Sequence, residues 1–256
     1  MSSLLNRQKI LVAGAGGLLG AKIVKDALKQ GAQVIAADIN VELMREKLIA
    51  QQVDLSNEAL TLALLDVTNE ESVKAFFASQ FGLTGAVNST YPRNKTYGAH
   101  FFDVSLQSFN ENLALHLGSA FLFTKQCAAY FKDKLEPFSL VNISSIYGVV
   151  APKFDIYDNT PMTMPVEYAA IKSAILHLNK YASTYINDSR FRVNSVSPGG
   201  IFDHQPLEFL EAYKSNTHGT GMLDAQEMIG SILFLLSTQS KFVTGQNIIV
   251  DDGFSL

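Results

Sequence analysis

The chain has 256 residues, 47% of them apolar and only 17% charged, which excludes a disordered or fibrous protein and leaves much of the chain for interior or interface. A net charge of −4 gives no electrostatic case for nucleic acid or an anionic membrane as partner. One cysteine, Cys127, rules out an intramolecular disulfide framework and leaves no thiolate metal site to expect.

The start, MSSLLNRQK, lacks the apolar core of a secretory leader. No apolar run approaches the roughly 18–20 residues that span a bilayer. A cytoplasmic protein is the expectation.

In chain order, Ile10-Leu-Val-Ala13 reads as a buried strand, followed by a helix over 17–30 that Gly31 stops. Val34-Ile-Ala-Ala37 is the second strand, ending at Asp38, and a helix fits 41–51. A strand over 60–65 ends at Asp66, a helix fits 70–80, and a short strand, 85–88, leads into the polar loop TYPRNKTYG. A long helix is expected over 105–132, a strand over 138–143, then a long loop, a helix over 166–187 and a strand over 191–196. The stretch 198–222 reads as irregular, before a helix over 224–236 and a last strand over 246–250.

Strands alternating with helices of this length imply βαβ crossovers and a parallel sheet. Strands apolar at nearly every position imply a sheet covered on both faces. The expectation is one doubly wound α/β (Rossmann) domain over 1–256, of about seven strands. Ligands of such folds lie at the carboxyl ends of the strands.

The turn after the first strand reads Gly14-Ala-Gly16-Gly17-Leu18-Leu-Gly20. Glycines there permit a tight turn and close approach to a pyrophosphate, beside the free N–H groups of a helix start. Asp38 lies 18 residues past Gly20, where a carboxylate accepts both ribose hydroxyls and repels a 2′-phosphate. The cofactor expected is therefore NAD(H). Asp66 either accepts from the adenine amino group or caps the next helix.

Tyr168 and Lys172 share one helix face at i and i+4. An ammonium beside a phenol favours phenolate, and acid/base work near neutrality needs a lowering worth about 3–4 kcal/mol. Ser145, just after the strand 138–143, is placed to orient a carbonyl or hydroxyl against Tyr168.

Together these segments make the chain resemble the single-domain short-chain dehydrogenase/reductases over nearly all its length. The matching stretches are the glycine turn, Asp38, Asp66-Val67, Val87-Asn88, Asn142 to Gly148, Tyr168 to Lys172, Arg192 to Gly199 and Thr244 to Gly253. The resemblance implies Tyr168 as proton donor or acceptor. It implies Lys172 as the group that tunes Tyr168 and holds the nicotinamide ribose, and Ser145 as the substrate-orienting hydroxyl. It places Gly14, Gly17, Leu18, Gly20, Asp38, Asp66, Val67, Asn88 and Pro198 around the cofactor. A homodimer or homotetramer is the implied assembly.

The departures are informative. Leu18 stands where this group has a glycine, and Gly14, Gly17 and Gly20 follow the spacing of the longer sugar-nucleotide-acting branch. His116 falls where the group carries a catalytic asparagine, with Asn112 one turn earlier. His116 either carries the proton or fills space. The gap from Ser145 to Tyr168 is 23 residues, longer than the resemblance implies. The added residues include Lys153, Asp155, Tyr157, Asp158, Asn159 and Thr160, and the loop after the fourth strand adds Tyr91, Arg93, Asn94, Lys95 and Tyr97. These groups suggest a polar, hydroxylated and anionic substrate, with Tyr91, Arg93 and Lys95 as contacts. The segments 91–97 and 146–155 resemble members of bacterial surface-sugar and flagellin-modification pathways, which implies a sugar-like or sugar-phosphate substrate. Two rival readings remain: a sugar epimerase or dehydratase with tightly held NAD, and a non-catalytic dinucleotide-binding regulator.

Overall fold

The computed structural model describes residues 3–256. Seven strands form one parallel sheet: β1 (Lys9–Ala13), β2 (Gln33–Asp38), β3 (Leu60–Leu64), β4 (Gly85–Asn88), β5 (Phe138–Ile143), β6 (Phe191–Pro198) and β7 (Asn247–Val250), in the order β3-β2-β1-β4-β5-β6-β7. Every pairing is parallel, so each connection crosses a face of the sheet. The order reverses between β1 and β4, which opens a crevice at the carboxyl ends of these strands.

Alternate residues of one strand serve opposite faces. Ile10 and Val12 pack with Val34, Ile23, Val24, Ile232 and Leu233 on one side. Leu11 and Ala13 pack with Ile35, Phe77, Phe123, Cys127 and Phe131 on the other. The covering helices are α1 (Leu18–Lys29), α2 (Val41–Ala50), α3 (Glu70–Ala78), α4 (Leu106–Asn112), α5 (Gly118–Lys134), α6 (Val166–Ile186), α7 (Leu207–Lys214) and α8 (Ile229–Leu236). This is the doubly wound parallel α/β architecture that the sequence implies.

Three expectations need correction. The helix over 105–132 is not regular: α4 and α5 are joined by one π turn, Leu113–Leu117, which holds His116. The stretch 198–222 is not wholly irregular. It contains α7, an eight-residue helix whose Phe209 and Tyr213, at i and i+4, are buried. The segment 224–236 begins as a 3-10 turn, Ala225–Met228, capped by the Asp224 side chain, before α8. A π turn and a short helix leave too little periodicity to read from sequence.

The glycine turn shows why its residues are small. Gly14 has φ +81°, and a Cβ on Gly20 would stand 2.0 Å from the Gly14 carbonyl oxygen. That contact brings the first turn of α1 down onto the loop. Gly20→Ala is expected to lose about 3 kcal/mol or more, a fall of several degrees in Tm. Gly230→Ala, in α8 with nothing within 4 Å of its Cβ, should gain about 0.5 kcal/mol. Thermal denaturation of the two variants side by side checks this pair.

Candidate active site

The glycine turn is held by β2. The Gly14 and Ala15 N–H groups donate to the Ala37 carbonyl at 2.9 and 3.1 Å, and the Ser89 hydroxyl donates to the Ala13 carbonyl at 2.7 Å. Gly17 caps α1 in an extended conformation with no side chain of its own, so the N–H groups of the first turn face the crevice. Asp38 ends β2, and its Oδ2 accepts from the Gly16 N–H at 2.9 Å. Asp38, Ile39, Asp66, Val67 and Thr68 line one recess of about 250 Å³ together with Gly14 and Gly17. Asp66 does not cap α3; Asn69 does, accepting from the Ser72 N–H at 2.9 Å. The Asp66 Oδ1 instead closes a turn on the Thr68 N–H and hydroxyl at 2.9 and 2.6 Å.

Two expected cofactor residues lie behind the surface. Asn88 is buried, and its Oδ1 accepts from the Thr90 hydroxyl at 2.7 Å, so Ser89 and Thr90 form the wall in its place. Gly20 serves the close approach described above. Leu18, by contrast, is 46% exposed at the rim of the larger cleft. A narrow glycine turn, a helix N-terminus and a strand-end carboxylate form a donor set that fits a dinucleotide.

The larger cleft, about 680 Å³, runs from Gly17 and Leu18 past Ser145, Tyr168 and Lys172 to Pro198. Ser145 follows β5, while Tyr168 and Lys172 stand on the first turns of α6. The Lys172 ammonium is buried and donates to the Ile143 carbonyl at 2.9 Å. It lies 5.5 Å from the centre of the Tyr168 ring. Burial pulls Lys172 down to about 7. Burial also pushes the Tyr168 phenol up, against the Ser145 hydroxyl, which lowers it. Desolvation is the largest influence on both groups and favours their neutral forms. A phenol that keeps its proton at neutral pH suits donation to a carbonyl oxygen.

His116 is 3% exposed and lies behind the cleft wall. Its Nε2 is 3.4 Å from the Lys172 Nζ, and its Nδ1 is buried without a partner. Burial, with Lys172 and Arg93 nearby, lowers it to about 2. The imidazole is therefore neutral, and an ionisation near the ordinary value of about 6.5 is not to be expected of it. Asn112, one turn earlier, is buried and staples the loop after β4. Its Oδ1 accepts from the Asn94 N–H at 3.0 Å, and its Nδ2 faces the Asn94 Oδ1 at 3.1 Å and the Glu167 Oε1 at 3.4 Å.

That loop carries Tyr91 into the site. Its ring meets those of His116 and Tyr168 edge-on at 5.0 and 5.7 Å, and its hydroxyl bonds to that of Tyr97 at 2.5 Å. The Arg93 guanidinium lies 4.8 Å over the Tyr91 ring and lines the cleft. Among the described residues no ion pair involves Arg93. Lys95 is exposed and lies outside the cleft.

The insert before Tyr168 is placed differently from expectation. Asp155, Asp158 and Asn159 are exposed and outside the cleft, and Lys153 donates to the Phe254 carbonyl at 3.1 Å. Tyr157, Met162 and Met164 face the cleft instead, joined by Tyr147, Phe209, Tyr213 and Met222. Of these, sequence reasoning named only Tyr157. The Met-Thr-Met run at 162–164 between two prolines and the Phe209/Tyr213 pair were the available signals.

Comparison with known proteins decides the family. Residues 14–255 match the family model described as enoyl-(acyl carrier protein) reductase. The post-translational flagellin modification protein A of Campylobacter coli is 38% identical, covering 99% of this chain and 100% of that protein. The chain belongs to the short-chain dehydrogenase/reductase family.

A 2,5-dichloro-2,5-cyclohexadiene-1,4-diol dehydrogenase of Sphingobium indicum is 28% identical, covering 98% of both chains. A short-chain dehydrogenase of Leptospira borgpetersenii, solved with bound NAD+, superposes with a TM-score of 0.87 at 28% identity, covering 100% of this chain and 95% of that one. In this dehydrogenase/reductase Ser145, Tyr168 and Lys172 line the larger cleft together.

A buried lysine with a lowered pKa has a signature in stability. Between about 7 and the unfolded value near 10.4 the unfolded chain binds more protons at this site, so stability rises with pH through that window. Lys172→Met removes the effect. The stability of wild type relative to Lys172→Met should improve by about 2–3 kcal/mol from pH 7 to pH 9.5. Denaturant unfolding at the two pH values measures it; a pH-independent difference would show that Lys172 ionises normally.

Proposed function

We propose that this protein moves a hydride between NAD(H) and a secondary alcohol or ketone on a polar, sugar-like or sugar-phosphate substrate. The observation that carries the reading is the continuity of one cleft from the glycine turn to Ser145, Tyr168 and Lys172. NAD(H) supplies the hydride acceptor or donor. In reduction Tyr168 gives its phenolic proton to the substrate oxygen, and in oxidation it takes the proton back. Ser145 orients that oxygen, and Lys172 holds the nicotinamide ribose. His116 lies against Lys172 through Nε2 and positions it; as a neutral base behind the wall it touches no reacting atom. Asp38 accepts from the ribose hydroxyls and disfavours a 2′-phosphate. Asp66 and Val67 take the adenine. An unpaired Arg93 at the cleft and the flagellin-modification relative support a sugar-like, anionic substrate, with Tyr91 beside the reacting carbon.

One domain carries both binding sites. No helix of the described residues is long and apolar enough to cross a membrane, and the reading places the protein in the cytoplasm. Phe121 on α5 and Tyr181 and Tyr185 on α6 are more than half exposed, and a second copy of the chain is the proposed cover. Light scattering should give a dimer or tetramer, and Tyr181→Glu should shift it toward monomer.

An NADH-formation screen against polyols and phosphorylated sugars tests the activity. Tyr168→Phe should cut kcat by about 10²-fold or more while NAD(H) still binds. Near-normal kcat in that variant would remove Tyr168 from the chemistry, and substrate turnover with no net NADH would favour epimerisation or dehydration. Dissociation constants of wild type and Asp38→Ala test cofactor choice. Wild type should bind NAD(H) more tightly than NADP(H), and Asp38→Ala should narrow the difference.

A further inference from the structure

The cleft has two unlike walls. β5 lies between β4 and β6 in the sheet. Ser145, which follows β5, therefore stands between the Arg93 loop after β4 and the segment after β6 that contains α7. The Arg93 side offers an unpaired guanidinium. The other side offers aromatic rings and thioethers: Tyr157 meets Phe209 at a tilt at 5.1 Å, Phe209 meets Tyr213 at 6.0 Å, and Met162, Met164 and Met222 complete the surface.

The hydroxyls on this wall are already engaged. Those of Tyr147 and Tyr157 bond to each other at 3.3 Å, and that of Tyr213 accepts from the Gly200 N–H. Burial keeps these phenols neutral, with Tyr157 pushed up to about 12. Asp203 and Gln205 also line the cleft; Asp203, like Arg93, is an exposed side chain at its rim. These rings pack against one another as one buried cluster, and the partly buried Met162, Met164 and Met222 cover its edge toward the cleft; methionines adapt to irregular apolar shapes.

We propose that the substrate is amphipathic: on one side of the reacting carbon an anionic group meets Arg93, and on the other an apolar substituent seats among Tyr157, Met162, Met164, Phe209 and Met222. The inference rests on the hydride-transfer reading and narrows its substrate class. A bare polyol or unsubstituted sugar phosphate would leave the aromatic wall in contact with water. A sugar-like ring carrying an apolar substituent would cover it.

The test uses straight-chain carboxylates from butanoate to octanoate, titrated by calorimetry into the full-length protein with and without NADH. Affinity should rise about fourfold per methylene, the value for burying one CH₂. Met222→Asp and Met164→Asp, on separate segments and only partly buried, should flatten that slope at unchanged Tm. Arg93→Gln should weaken every chain length equally and keep the slope. Equal affinity for all lengths in wild type would overturn the proposal, and so would a full slope in both aspartate variants, because the tail would then sit elsewhere. NADH binding, followed by its fluorescence in the same samples, separates the two readings. A flat slope with NADH bound sinks the substrate class alone; a normal slope with no NADH binding sinks hydride transfer alone.

Discussion

The site is organised around one buried amine, the Lys172 Nζ. Lys172 sits at the carboxyl edge of β5 with its ammonium out of water, and such a group is tolerated only where acceptors are fixed around it. Two are present, the Ile143 carbonyl and the His116 Nε2. They belong to the end of β5 and to the π turn, so the lysine ties the sheet, α6 and the α4–α5 helix to one point. The Ser144 hydroxyl adds a bond to the Lys172 carbonyl at 2.9 Å. Tyr168, one turn earlier on α6, is placed by the same anchoring.

This arrangement makes sense of a buried histidine beside Lys172. A cationic imidazole beside a buried ammonium would be repelled. A neutral one adds no charge there, with its Nε2 3.4 Å from the Lys172 Nζ. The π turn widens the helix at that place, and π turns recur at functional sites because the extra residue re-aims a side chain. Deeper in the fold, the Asn142 amide donates to Asn179 and Thr124 and so binds β5 to α6 and α5. The register of Tyr168 and Lys172 against Ser145 depends on this buried polar link.

The loops divide the remaining work. Asn112 holds the loop after β4 through Asn94, and that loop brings Tyr91 edge-on to Tyr168 and Arg93 to the cleft. The insert before α6 and the α7 segment supply the apolar side. Polar residues in an insert do not by themselves make a polar pocket. Asp155, Asp158 and Asn159 keep their hydration by facing solvent, while Tyr157, Met162 and Met164 turn inward because burying apolar surface is favourable.

The sequence by itself determined the alternation of strands and helices, the parallel sheet, the glycine turn and the alignment of Ser145, Tyr168 and Lys172. Each rests on short-range rules: hydrophobic period, turn chemistry, and i, i+4 spacing on one helix. The resemblance to the family brought His116 to notice, with its role left open between carrying a proton and filling space. Tertiary structure alone decided the π turn that carries His116, the helix hidden in 198–222, Asn69 rather than Asp66 as the cap of α3, and which residues of the insert line the cleft. It also decided the protonation of the site. The phenol is raised and the lysine and histidine lowered because of burial among side chains far apart in sequence, and desolvation is a property of the packed neighbourhood rather than of any local pattern.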